Sequence, residues 1–176
     1  MGKRSDFERI PRDFYPTPRE AVWPLIPHLT YGDSFIEPCA GDGALVQHLE
    51  VLGMSCRHAS DIEPRAEWIE KEDVFDDGLW VHNEVDFIIT NPPWDRKILH
   101  PMITAFSDMR PTWLLFDADW MHTRQSVPFM PRLRMIVSLG RVKWIPDSKM
   151  TGKDNCCWYL FDKPSDQATE FVGRSA

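Results

Sequence analysis

Four adjacent residues carry the sharpest chemistry in the chain: Asn91, Pro92, Pro93 and Trp94, directly after the apolar run 85–90, Val-Asp-Phe-Ile-Ile-Thr. Proline has no N–H to give to a ladder, so two in succession end a strand and fix the backbone beyond it. The Pro92 carbonyl then has no ladder to join and can point the same way as the Asn91 amide oxygen. Two acceptors converging beside an aromatic plane can hold a planar NH₂ group and stack the ring that bears it. As a bare string, the same residues also fit a simple proline turn.

A second group, Glu37-Pro38-Cys39-Ala40-Gly41-Asp42-Gly43, joins a short apolar strand to a helix. Gly41 and Gly43 let a backbone approach a ligand closely, and the helix that follows offers free N–H groups. A dinucleotide fingerprint needs a small residue three places after the second glycine, where Val46 stands. Asp42 would also repel phosphate. The loop therefore suits a ligand with an amino-acid moiety and no phosphate, or it is a tight strand–helix turn. Asp61, 20 residues after Gly41, follows the next strand, where a carboxylate can accept both hydroxyls of a ribose. Glu63 competes for that role. Asp73, followed by Val74 and Phe75, pairs a carboxylate with backbone N–H groups able to read an adenine edge. Taken singly, each acid also fits a solvated surface.

The elements that must position these groups alternate between short apolar runs and helix-like stretches, the rhythm of a mostly parallel sheet with crossover helices. Strands are expected at 34–37, 55–60, 85–90 and 112–116. A helix is expected at 44–52, with Leu45, Leu49 and Leu52 on one face and Gly53 as its stop. Thr17-Pro18-Arg19-Glu20 has the form of a capping box, so a helix should begin there, short or kinked because Pro24 follows. Runs at 135–139, 142–145 and 156–161 are rich in β-formers and point to added antiparallel strands. Residues from Asp162 onward read as a polar tail.

With 176 residues, 43% apolar and 27% charged, the chain is expected to be one domain with a real core, neither disordered nor fibrous. No apolar run approaches a membrane span, and the charged N-terminus is unlike a secretory signal. Cys39, Cys56, Cys156 and Cys157 show no zinc spacing, so reduced thiols, a cytoplasmic location and no metal are expected. The net charge of −7 is unevenly spread. Residues 61–77 carry eight acids and two bases, whereas residues 120–153 carry seven bases and one acid. A polyanion responds to the local field, so the second segment keeps a nucleic-acid partner open beside the plainer reading of a solvated surface.

In order along the chain, Tyr-Pro-Thr-Pro, Glu-Pro-Cys-Ala-Gly-Asp-Gly, Asp-Ile-Glu-Pro, Glu-Asp-Val-Phe and Thr-Asn-Pro-Pro-Trp resemble the motifs of S-adenosylmethionine-dependent amino-methyltransferases. The nearest likeness is to the small DNA adenine-N6 methyltransferases of phages and prophages, specific from Phe14 to Trp94 and looser to residue 161. The resemblance implies a Rossmann-like class I methyltransferase fold of the α/β class, with a mostly parallel seven-stranded sheet and an antiparallel C-terminal strand. It implies S-adenosyl-L-methionine as cofactor, with Thr17 and Pro18 at its methionine end and Glu37, Ala40, Gly41 and Gly43 around its amino and carboxylate groups. Asp61 would take the ribose, Ile62 would lie beside the adenine, and Asp73 and Val74 would read its edge. Asn91 to Trp94 would form the catalytic tetrapeptide, with Asn91 also beside the cofactor.

The expected reaction is methylation of a flipped adenine in DNA, in a single domain over 1–176 with an arm at 1–12, a tail at 162–176 and no separate target-recognition domain. Recognition would then fall to the basic segment, through His122, Arg124, Lys149, Lys153 and Asn155, or to a second copy in a homodimer. Arg132, Arg134 and Arg141 flank strands and fit solvated edge charges. Two other readings stay open. The same tetrapeptide serves enzymes acting on RNA adenine or guanine or on protein glutamine, and the fold also occurs in non-catalytic nucleic-acid-binding subunits.

Overall fold

The computed structural model describes residues 14–76, 84–145 and 151–174. Its centre is an eight-stranded sheet in the order β3-β2-β1-β4-β5-β7-β6-β8. Strands β1 (Ser34–Glu37), β2 (Ser55–Asp61), β3 (Glu70–Lys71), β4 (Phe87–Thr90) and β5 (Thr112–Asp117) pair in parallel. β7 (Asn155–Phe161) runs antiparallel between β5 and β6 (Leu133–Arg141), and β8 (Glu170–Val172) adds to β6 in parallel.

Alternation along the central strands sends successive side chains to opposite faces. Ile89, Trp113 and Leu115 enter one core, beneath helix α1 (Arg19–Val22) and helix α2 (Ala44–Val51). Ile88, Leu114 and Phe116 enter the other, beneath helix α3 (Arg96–Met109). Both faces are covered, which is why β5 reads as an almost unbroken apolar run. α3 starts at Asp95, whose carboxylate accepts the Lys97 N–H at 2.9 Å. It buries Leu99, Met102, Ile103 and Phe106, spaced along one helical face.

Four expectations are corrected. The sheet has eight strands, because the expected polar tail contributes β8. Residues 142–145 leave the sheet after β6. The ladder there already shifts register between Ser138 and Gly140, and Gly140 has a φ of 74°. The expected capping box at Thr17 does not form: α1 has no side-chain cap, and Thr17 is engaged elsewhere. Arg132 and Arg134 are not solvated charges. Arg132 bonds Asp108 at 2.6 Å and Ser107 at 2.9 Å, and the buried Arg134 donates to the carbonyls of Pro131 and Lys163.

Candidate active site

The order of strands reverses at β1 and β4, so the crevice between their carboxyl ends is where an open α/β sheet takes a ligand. A cavity of about 390 Å³ opens there. Thr17, Glu37, Ala40, Gly41, Asp61, Ile62, Asp73, Val74, Asn91, Pro92 and Pro93 all line it, so residues from distant parts of the chain converge on one space. Pro18, Gly43 and Trp94 are outside the lining. Phe14, Tyr15, Arg65, Ile98 and Met102 also belong to the wall. Tyr15 opens the Tyr-Pro-Thr-Pro motif, whereas Phe14, Arg65, Ile98 and Met102 carry no motif signal of their own; Met102 lies on the buried face of α3 and Ile98 is exposed.

The loop after β1 is built by interlocking contacts. Gly41 has a φ of 56°, and a Cβ there would lie 2.6 Å from the Phe14 ring. The Arg65 guanidinium sits 3.9 Å from the centre of that ring, and the Arg65 backbone N–H donates to the Gly41 carbonyl at 2.8 Å. Gly43 has a φ of 82°, and a Cβ there would lie 2.1 Å from the Trp68 indole. An indole therefore covers the start of α2, where a phosphate would otherwise seek the helix N-terminus. Asp61 accepts the N–H groups of Gly41 and Glu63, each at 2.8 Å.

The wall carries six carboxylates, Glu37, Asp42, Asp61, Glu63, Asp73 and Asp95, against the single guanidinium of Arg65. Glu37 is buried, and its Oε2 has no hydrogen-bond partner. Burial pushes its carboxyl well above the usual range, and Asp61 and Asp42 push it further. A cationic group entering the cavity would satisfy that oxygen and lower the cost of ionising it. Burial, then Asp61, likewise raises the Cys39 thiol, leaving it a protonated wall residue and a poor nucleophile. These features fit a positively charged nucleoside with an amino-acid tail and disfavour a phosphorylated one: acids for ammonium and hydroxyls, exposed Ile62 for a flat base, and a blocked phosphate position.

Asn91, at the end of β4, is held from both sides. Its Nδ2 donates to Thr17 Oγ1 at 3.2 Å and to the Tyr15 carbonyl at 3.4 Å. Its Oδ1 accepts from Trp94 Nε1 at 3.4 Å. Trp94 also donates to the Leu115 carbonyl at 3.2 Å and meets Trp144 edge-on, with ring centres 5.8 Å apart. Away from the cavity, His58, Glu70 and Glu72 bring three possible ligand atoms within 4.8 Å of one another. The imidazole Nε2 is hydrogen-bonded to Glu72 at 2.8 Å, and Nδ1 lies 3.8 Å from Glu70.

Of the residues expected to meet nucleic acid, those among the described residues lie along the same edge of the sheet. Asp117 at the end of β5 pairs with Cys156, and Arg141 at the end of β6 pairs with Asn155, so the antiparallel β7 starts where the parallel strands finish. His122, Arg124, Lys153 and Asn155 are exposed around that edge, while Lys149 lies outside the described residues. Acid-lined cavity and basic loops thus share one edge.

No family model and no curated protein matches the chain. Solved structures do. A modification subunit of an inferred type I restriction enzyme from Vibrio vulnificus YJ016 aligns over 87% of this chain and 46% of its own, with 16% identity and a TM-score of 0.53. A dimethyladenosine transferase from Plasmodium falciparum aligns over 86% and 63%, with 12% identity and a TM-score of 0.55. An inferred RNA methyltransferase from Pyrococcus horikoshii aligns over 86% and 87%, with 17% identity and a TM-score of 0.53. The fold is the Rossmann-like class I methyltransferase fold. The chain spans less than two thirds of the Vibrio and Plasmodium proteins. Within this methyltransferase fold the acid-lined cavity lies at the switch point, and no helix among the described residues is long and apolar enough to cross a membrane.

Proposed function

We propose that the chain is an S-adenosylmethionine-dependent methyltransferase acting on the N6 amine of adenine in DNA. The observation that carries this reading is the position of Asn91. Together with Pro92 it lines a cavity whose acid wall suits a cationic nucleoside. When bound, S-adenosylmethionine supplies an electrophilic methyl group.

The chain's own residues do the rest by orientation. Asn91 Oδ1 and the Pro92 carbonyl accept the two N–H groups of the target amine, which returns lone-pair density from the ring to the nitrogen. Pro93 keeps the Pro92 carbonyl out of any ladder. Glu37 and Asp61 hold the far side of the cavity, fixing the distance and line of approach, from which most of the rate enhancement would come. A base stacked in a duplex cannot reach such a cavity, so the adenine must be turned out of the helix. The basic loops carrying Arg124 and Lys153 then hold the backbone on either side.

Replacing Asn91 with Ala should abolish methyl transfer while the cofactor still binds, as read by calorimetry on the same sample. Retained transfer in that variant would contradict the assignment. The Plasmodium and Pyrococcus proteins keep a second reading in view, since the same acceptor pair would hold an adenine of RNA; competition between DNA and RNA for labelled methyl separates the two.

A further inference from the structure

Asparagine amides have two nearly equivalent orientations, and only one presents oxygen to an incoming amine. At Asn91 the neighbours decide between them. The Tyr15 carbonyl can only accept and the Trp94 indole N–H can only donate, so Nδ2 must face Tyr15 and Thr17 while Oδ1 faces Trp94. The indole is itself fixed, because the same N–H is shared with the Leu115 carbonyl of β5 at 3.2 Å. Thr17 is buried and lines the cavity, so the segment that anchors Nδ2 is also a wall of the ligand site.

We infer that Trp94 and Thr17 are positioning residues that lock the Asn91 amide with its oxygen toward the reacting amine. The tryptophan of the tetrapeptide works through its indole N–H, and Thr17 works through its hydroxyl as well as through any contact with the cofactor. One lone pair of Oδ1 takes the indole and the other remains for substrate. With the lock gone, the amide can turn its own NH₂ toward the target NH₂, and the acceptor disappears. This inference rests on the methyl-transfer reading of the site.

The test uses Trp94→Phe, which keeps an aromatic face and removes the N–H, together with Thr17→Val and Thr17→Ser. Methyl transfer to adenine-containing DNA is followed as kcat and KM, and hydrogen exchange of the Asn91 side-chain amide is followed by NMR without DNA. Trp94→Phe and Thr17→Val should each lower kcat about five- to tenfold, near the limit for one neutral hydrogen bond. KM for the cofactor should stay unchanged in Trp94→Phe, and amide exchange should quicken in both. Thr17→Ser should restore both readouts. The double variant should fall by less than the product of the two single effects, because both residues hold one amide. A wild-type kcat in Trp94→Phe would overturn the inference, as would a lowered kcat with unchanged Asn91 exchange, which would assign Trp94 to ring stacking alone. A wild-type protein that transfers nothing to DNA, yet whose amide exchange responds to both variants, would overturn the functional reading and leave the lock standing.

Discussion

The Asp61 carboxylate accepts the Gly41 N–H at 2.8 Å, joining the end of β2 to the loop that follows β1. Its other oxygen accepts the Glu63 N–H at the same distance, so one side chain shapes both loops at the switch point. The residue expected to read a ribose also builds the surface on which the ribose would lie. Asp61→Ala leaves two N–H groups without this acceptor and should cost about 1–3 kcal/mol of stability per orphaned group that stays dry. Cofactor affinity should fall with it, and Asp61→Asn should recover part of both. Denaturant unfolding and calorimetry check the pair; full affinity in Asp61→Ala would contradict it.

Glu37 gives a pH signature. Its folded-state carboxyl is held well above the ordinary value near 4.5, first by burial and then by Asp61 and Asp42. The folded protein therefore keeps a proton that the unfolded chain releases, and stability is full below the ordinary value and declines as pH rises through the folded-state value. Glu37→Gln is neutral throughout. Its melting temperature should match that of the wild type near pH 4.5 and exceed it as pH rises, and the cofactor should stabilise the variant less. Parallel pH profiles for the two proteins would contradict the reading.

Gly43 and Trp68 should be coupled. A Cβ at Gly43 meets the indole at 2.1 Å on a backbone with φ 82°. The left-handed conformation alone costs a substituted residue roughly 1–2 kcal/mol, and ring overlap adds to that. Gly43→Ala should be destabilised by at least this amount, and adding Trp68→Ala should recover the overlap portion only. A double-mutant cycle by denaturant unfolding reads the coupling; strictly additive changes would contradict it.

The elements that position the site are legible where local pattern and tertiary role agree. β1 is a short apolar run stopped by proline, and the 85–90 run ends at Asn-Pro-Pro as β4 does. Asp61, Asp73 and Asn91 meet at one cavity because acids and amides after strands gather at the carboxyl edge. Legibility fails where a distant partner decides. Thr17 has the spacing of a cap, but its hydroxyl goes to Asn91, 74 positions away. Gly41 and Gly43 have the pattern of room left for a ligand, yet the nearest atoms above them belong to Phe14 and Trp68. α3 is hidden because Pro101 lies inside it, although Leu99, Met102, Ile103 and Phe106 carry its period. β8 is three residues in a polar stretch, held by pairing with β6 and invisible to hydropathy.

The basic loops make a prediction about salt. Replacing Arg124, Lys149 and Lys153 together with Ala should weaken DNA binding and reduce the slope of log K against log salt by up to about one unit for each phosphate no longer neutralised. Cofactor affinity should be unchanged, since neither Arg124 nor Lys153 lines the cavity. An unaltered slope would place the DNA surface elsewhere, most simply on a second copy of the chain.

The most direct measurement is product analysis after incubation with methyl-labelled S-adenosylmethionine and mixed DNA, RNA and protein. Digestion to nucleosides and amino acids should recover the label as N6-methyladenine from DNA, and Asn91→Ala should give none. Label recovered as N4-methylcytosine, as methylated RNA or as methylglutamine, or no label from a protein that binds the cofactor, would contradict the assignment.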